Sequence, residues 1–163
     1  MNNIVNEPPQ NENITFNNQL INDVINFCNN KEKDKLTNII SPLHPADLAD
    51  LFTFLSKEQR SYILNNLSED RYTDVLAELD DTIIDETVQE LEDTKVVRSI
   101  SEMETDDAIN LIESLEPAAQ KKILDQVNPT EREILQESLN YPEDTAGRRT
   151  VSYTHLRAHE TRS

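Results

Sequence analysis

Pro45-Ala46-Asp47-Leu48-Ala49-Asp50-Leu51-Phe52-Thr53-Phe54-Leu55 is the stretch on which the fold turns. Leu48, Leu51, Phe52 and Leu55 recur three and four residues apart, the spacing of one helix face. Pro45 stands where a helix begins, and there its missing N–H costs nothing. Shifted by 60 residues, the pattern returns in Thr105-Asp106-Asp107-Ala108-Ile109-Asn110-Leu111-Ile112-Glu113-Ser114-Leu115. Asp47 then meets Asp107, Leu51 meets Leu111 and Leu55 meets Leu115. The agreement runs on: Ile63 and Leu64 meet Ile123 and Leu124, and Leu67 meets Val127. A shift of 24 gives a fainter copy, in which Leu55, Leu64 and Leu67 meet Leu79, Val88 and Leu91. One such unit cannot bury its own stripe, so stacking of units into a solenoid is the natural solution.

Working outward, the same reading predicts helices over 45–55, 57–66, 69–79, 81–91, 93–101, 105–115, 117–127 and 130–140. Upstream, Leu20, Ile21, Val24, Ile25 and Phe27 mark an earlier helix. Leu36, Ile39 and Ile40 mark a short second one, stopped by Ser41 and Pro42. Pro117 and Pro129 repeat the role of Pro45, while Ser68, Asp80 and Thr105 precede acidic first turns as N-caps do. No segment alternates with period two. The expected fold is all-α, a right-handed superhelix of about ten short amphipathic helices.

Composition narrows the function. The 163 residues carry 32 acids, 15 bases and a formal charge of −17, with one Gly and one Cys. Gly147 alone cannot write a phosphate loop or a dinucleotide fingerprint. A single Cys builds neither a disulfide framework nor a cysteine-rich zinc site. The acid excess argues against nucleic acid, which needs a Lys/Arg stripe. No apolar run approaches a membrane span, and the N-terminus lacks the pattern of a secretory signal, so a cytoplasmic setting is expected. The charge is uneven: residues 41–147 hold 26 acids and 8 bases, whereas residues 148–163 hold 1 acid and 4 bases. We read residues 1–15, rich in Asn, as a disordered lead-in, 16–147 as the helical domain and 148–163 as an extraneous tail.

Catalytic constellations are missing. His44 is the lone His of the body and has no evident nucleophile beside it. Cys28 falls on the apolar side of its helix and reads as a buried, inert thiol. The chain is not expected to be an enzyme. Its acids say more. No base occurs between Tyr72 and Thr94, whereas Asp74, Glu78, Asp80, Asp81, Asp85, Glu86, Glu90, Glu92 and Asp93 all do. Glu102, Glu104, Asp106 and Asp107 form a second cluster. Oxygen-only donor sets suit hard cations, and Mg²⁺ needs only one or two carboxylates because it keeps several waters.

Leu43-His44-Pro45-Ala46-Asp47-Leu48-Ala49-Asp50-Leu51 resembles the cytoplasmic N-terminal domain of MgtE-type magnesium transporters. The resemblance continues through Thr73-Asp74-Val75-Leu76-Ala77-Glu78-Leu79 and Thr105 to Leu111, and closes at Tyr141-Pro142-Glu143-Asp144-Thr145-Ala146-Gly147. It implies a superhelix of short helices followed, in the full-length protein, by a pair of CBS domains and a dimeric membrane pore. It also implies regulation: Mg²⁺ bridging acidic faces of the N and CBS domains holds the pore shut. By motif, Asp74, Asp106 and Asp107 match positions that contact such ions; the family usually carries an acid where Asn110 stands. A second resemblance, to the middle domain of the flagellar motor switch protein, implies a metal-independent interaction module. After Gly147 the chain leaves the pattern, and Arg148 to Glu160 is similar to translated sequencing-adaptor read-through.

Overall fold

The computed structural model describes residues 16–139, and the expectations for 1–15 and for the tail lie outside these residues. The described residues form ten α-helices and no strand. They are α1 (Asn18–Asn29), α2 (Lys33–Ile40), α3 (Pro45–Phe52), α4 (Lys57–Asn65) and α5 (Glu69–Ala77). Then follow α6 (Asp81–Gln89), α7 (Asp93–Glu102), α8 (Thr105–Glu113), α9 (Pro117–Leu124) and α10 (Pro129–Leu139).

From α2 onward, each helix begins 12 residues after the one before, from Lys33 through Pro45 and Lys57 to Pro129. Both shifts seen in the sequence, 24 and 60, are multiples of this spacing. The unit is one helix of two to three turns plus a short joint.

The joints correct the expected helix ends. Leu55, Leu79, Leu91, Leu115 and Val127, read as closing residues of their helices, lie in the turns after them, as does Leu67, which the reading placed just beyond its helix. There each backbone N–H donates three residues back, for example Leu55 to Phe52 at 3.0 Å and Leu91 to Val88 at 3.0 Å. The tightened last turn satisfies carbonyls that the helix leaves over. It also swings the side chain inward, and all six are buried or packed against the core. Amphipathic spacing is blind to this distinction, since a residue three positions on lands on the same face either way.

N-termini follow ordinary capping chemistry with one correction. Ser56 and Gln59 make a reciprocal capping box. Asp80 accepts from the Thr82 amide at 2.8 Å. Thr105 is not a cap: Glu104 holds that position, and Thr105 is the first helical residue, buried at 3% exposure. Among the described residues only Lys31 has positive φ, at 58°, in the α1–α2 turn. Every other described joint is built from right-handed or extended residues, so a helical array needs no glycine.

Two layers result. In one, α3 packs on α5, α5 on α7 and α7 on α9. In the other, α4 packs on α6 and α8 on α10, with α1 closing the N-terminal end against α2 and α4. A continuous core runs between them, from Val24 to Leu135.

Two arginines tie units together, one buried and one half-buried. Arg60, 6% exposed, donates to the Phe52 carbonyl oxygen at the C-terminus of α3. Arg71 reaches across some thirty residues to the carbonyl oxygens of Ile40, Ser41 and Leu43, at 2.8, 2.9 and 2.5 Å. Both place positive charge on helix C-termini, where the peptide dipoles favour it.

Candidate metal centre

The acidic surface is sorted by the stacking of units. Alternate units place bases beside acids, pairing Lys57 with Glu90, Arg60 with Glu86, Arg98 with Glu69 and Lys122 with Asp93. Asp81 accepts from the Ser114 hydroxyl, and Asp85 from the Glu116 amide. These acids hold the solenoid together. Exposed pairs of this kind contribute only modestly to stability.

A different group gathers where α5 packs on the start of α8. Asp107, in the first turn of α8, is half-buried, and Glu78, Glu104 and Asp106 all bear on its charge. Its carboxyl is pushed above the usual range first by burial, then by Glu104, Glu78 and Asp106. A helix N-terminus ordinarily favours a carboxylate, so the upward direction means that desolvation and repulsion outweigh the dipole. No Lys or Arg forms an ion pair with Asp74, Glu78, Glu104 or Asp107 among the described residues.

Of the three residues singled out from the sequence, Asp106 and Asp107 are neighbours on α8. Asp74 is exposed on α5, one turn before Glu78 and on the same side of that helix. The structure adds Glu78 and Glu104 to the group. Both stood in the acid clusters of the sequence, but nothing in linear spacing brings Glu78 to Asp107; the packing of α5 on α8 does.

The donor set is all carboxylate, the chemistry that Mg²⁺ takes and that zinc or copper does not favour. Among the described residues no three His, Cys, Asp or Glu are arranged to hold a metal by themselves.

The remaining chemistry-bearing residues take no part. His44 sits exposed at the N-cap of α3 and makes no capping hydrogen bond with its side chain. Cys28 is buried, and burial pushes its thiol up to about 11. No helix among the described residues is long and apolar enough to cross a membrane.

Comparison with known proteins agrees with this architecture. No curated protein matches the chain. Solved structures share the fold, two of them as follows. The soluble part of a magnesium transporter is 20% identical, with a TM-score of 0.67 over 80% of this chain and 52% of that one. The cytosolic domain of the Mg²⁺ channel MgtE, in complex with ATP, is 22% identical, with a TM-score of 0.66 over 78% and 52%. The chain thus spans about half the length of these two structures. The model of the MgtE intracellular N domain matches residues 43–144, more than half of the chain. Of the two families that the sequence resembles, the match is to the transporter and not the flagellar domain, and that family is not one of enzymes. The chain belongs to the MgtE intracellular N domain family.

Proposed function

We propose that this domain is the cytoplasmic Mg²⁺ sensor of a magnesium transporter. Its acidic face works jointly with a CBS domain pair of the same full-length protein, itself a homodimer, to favour the closed pore. The observation that supports this most directly is the state of Asp107: a carboxyl crowded by Glu78, Glu104 and Asp106, with no Lys or Arg paired to it among the described residues.

Such a group repels a second acidic surface brought against it. At an effective dielectric constant of about 20, two unit charges 4 Å apart cost about 4 kcal/mol. A hard dication between the surfaces turns that repulsion into attraction. The closed arrangement is therefore favoured when the ion is abundant, because only there do both sets of carboxylates reach it. When the ion is scarce the two faces separate. Asp106 and Asp107 contribute from α8, Asp74 and Glu78 from α5.

The test uses the intact transporter. Limited proteolysis of the segment joining the N and CBS domains is followed across a Mg²⁺ titration. Asp74→Ala, and Asp106→Ala combined with Asp107→Ala, should shift protection to higher Mg²⁺. Unchanged protection in both variants would sink the proposal.

A further inference from the structure

The two ends of the solenoid present different surfaces. At the C-terminal end, exposed positions of α9 and α10 are held by residues such as Lys121, Lys122, Glu133 and Glu137. At the other end, Phe16, Leu20 and Phe27 are half-buried and spaced four and seven residues apart, along one flank of α1. Phe54, in the α3–α4 turn, lengthens this stripe: its ring meets that of Phe16 edge-on, with centroids 6.2 Å apart. At 54% exposure Phe54 is the large apolar side chain left most open among the described residues. Lys35 stands over Phe27 at the far end, 5.8 Å from the ring centroid. Between Phe16 and Phe27 the stripe runs about 16 Å at the helical rise.

Charge differs between the ends as well. Residues 16–40 carry three acids and three bases, whereas residues 41–139 carry 24 acids and 8 bases. Asp23, the one acid of α1, already accepts from Gln19 along its own helix at 2.8 Å.

We propose that this N-terminal stripe is a contact between two copies of the chain, paired about a two-fold axis beside Phe54. Charge selects the occupant. A basic partner is drawn to the acidic body instead, while an acidic protein or an anionic membrane is repelled by it. A second copy carries the same −17 and meets least repulsion where acids and bases balance, as they do over 16–40. In a two-fold contact each surface meets itself, so a balanced apolar patch is self-complementary. Pairing by this end also points the two acidic bodies apart. One exposed ring with half-buried neighbours makes a small interface, so the contact is weak. It goes beyond the ion-sensing reading and uses none of the acids around Asp107.

The test is sedimentation equilibrium of the full chain in EDTA, so that Mg²⁺ plays no part. At about 0.5 M NaCl, where charges are screened beyond about 4 Å, dimers should form with a Kd on the order of 100 μM. Lowering the salt tenfold should weaken association at least about fivefold, the opposite of what an ionic contact would do. Phe54→Glu should weaken it at least about tenfold at unchanged circular dichroism. Phe54→Ser, which adds no charge, should still weaken it several-fold, and it decides the matter should the Glu variant unfold. Ala118→Glu adds the same charge on exposed α9 and should leave association unchanged. A chain that stays monomeric to about 1 mM at high salt would overturn the proposal and leave the stripe to another partner. Undiminished association of the folded Phe54 variants would overturn it too, placing the contact elsewhere.

Discussion

The Nε of Arg60 donates to the carbonyl oxygen of Phe52, eight residues back, at 2.9 Å. Arg132 repeats the contact six units later, donating to Leu124 at 2.7 Å, again eight residues back. In each case a side chain in the first turn of one helix closes the C-terminus of the helix before it. The two contacts occupy the same position of the 12-residue unit, with Arg60 the more buried of the two.

Arg60→Ala should destabilise the domain by about 2 kcal/mol, because the Phe52 carbonyl keeps only its Leu55 donor and the space of a buried side chain is not refilled. Arg60→Lys should recover little, since an ammonium cannot reproduce the planar guanidinium that also reaches Thr87 and Glu86. Urea unfolding with an unchanged slope checks both.

Asp107 has a folded-state affinity for protons above its ordinary value of 3.8. Stability that depends on its protonated form is fully present below the unfolded value. It is lost as pH rises through the higher folded value. Asp107→Asn should therefore make the isolated domain more stable than the parent at pH 7 and flatten that part of the pH profile. Thermal unfolding from pH 3 upward measures it; a variant less stable at pH 7 would contradict the assignment.

On the proposed function, the isolated chain would supply only one side of the ion site. Calorimetric titration with Mg²⁺ should give weak binding, with a Kd on the order of 1 mM or above. A tight stoichiometric response would mean that these carboxylates suffice alone.

Cys28 is the single thiol of the chain, buried and with its pKa raised to about 11. At neutral pH it should resist a maleimide in the folded protein and react fully in urea. Rapid labelling of the native chain would place Cys28 at the surface.

Ser56→Ala removes one arm of the α4 capping box, in which Ser56 Oγ accepts from the Gln59 amide at 3.2 Å. A loss of about 1 kcal/mol is expected. Ser68→Ala, at an N-cap whose side chain makes no capping bond, should cost less in the same assay.

Much of this was legible in the order of residues. Apolar spacing and the prolines placed every helix start from Pro45 onward to within a residue, because period and missing N–H are local properties. The helix ends were not legible: Leu55 and Leu79 continue the stripe whether they lie in the helix or in the turn. Nor did Arg60 and Arg71 look different from surface bases, although folding buries the first and spreads the second over three carbonyl oxygens.

The site divides in the same way. Sequence alone put Asp106 and Asp107 together and drew attention to Asp74. Only tertiary structure decided that Glu78 and Glu104 press on Asp107, and that Glu69, Glu86, Glu90 and Asp93 are instead tied to bases of neighbouring units. Amphipathic period is written residue by residue along one helix. Which helix faces which follows from the packing of all ten, and a repeated pattern cannot encode it because each copy carries the same local instruction.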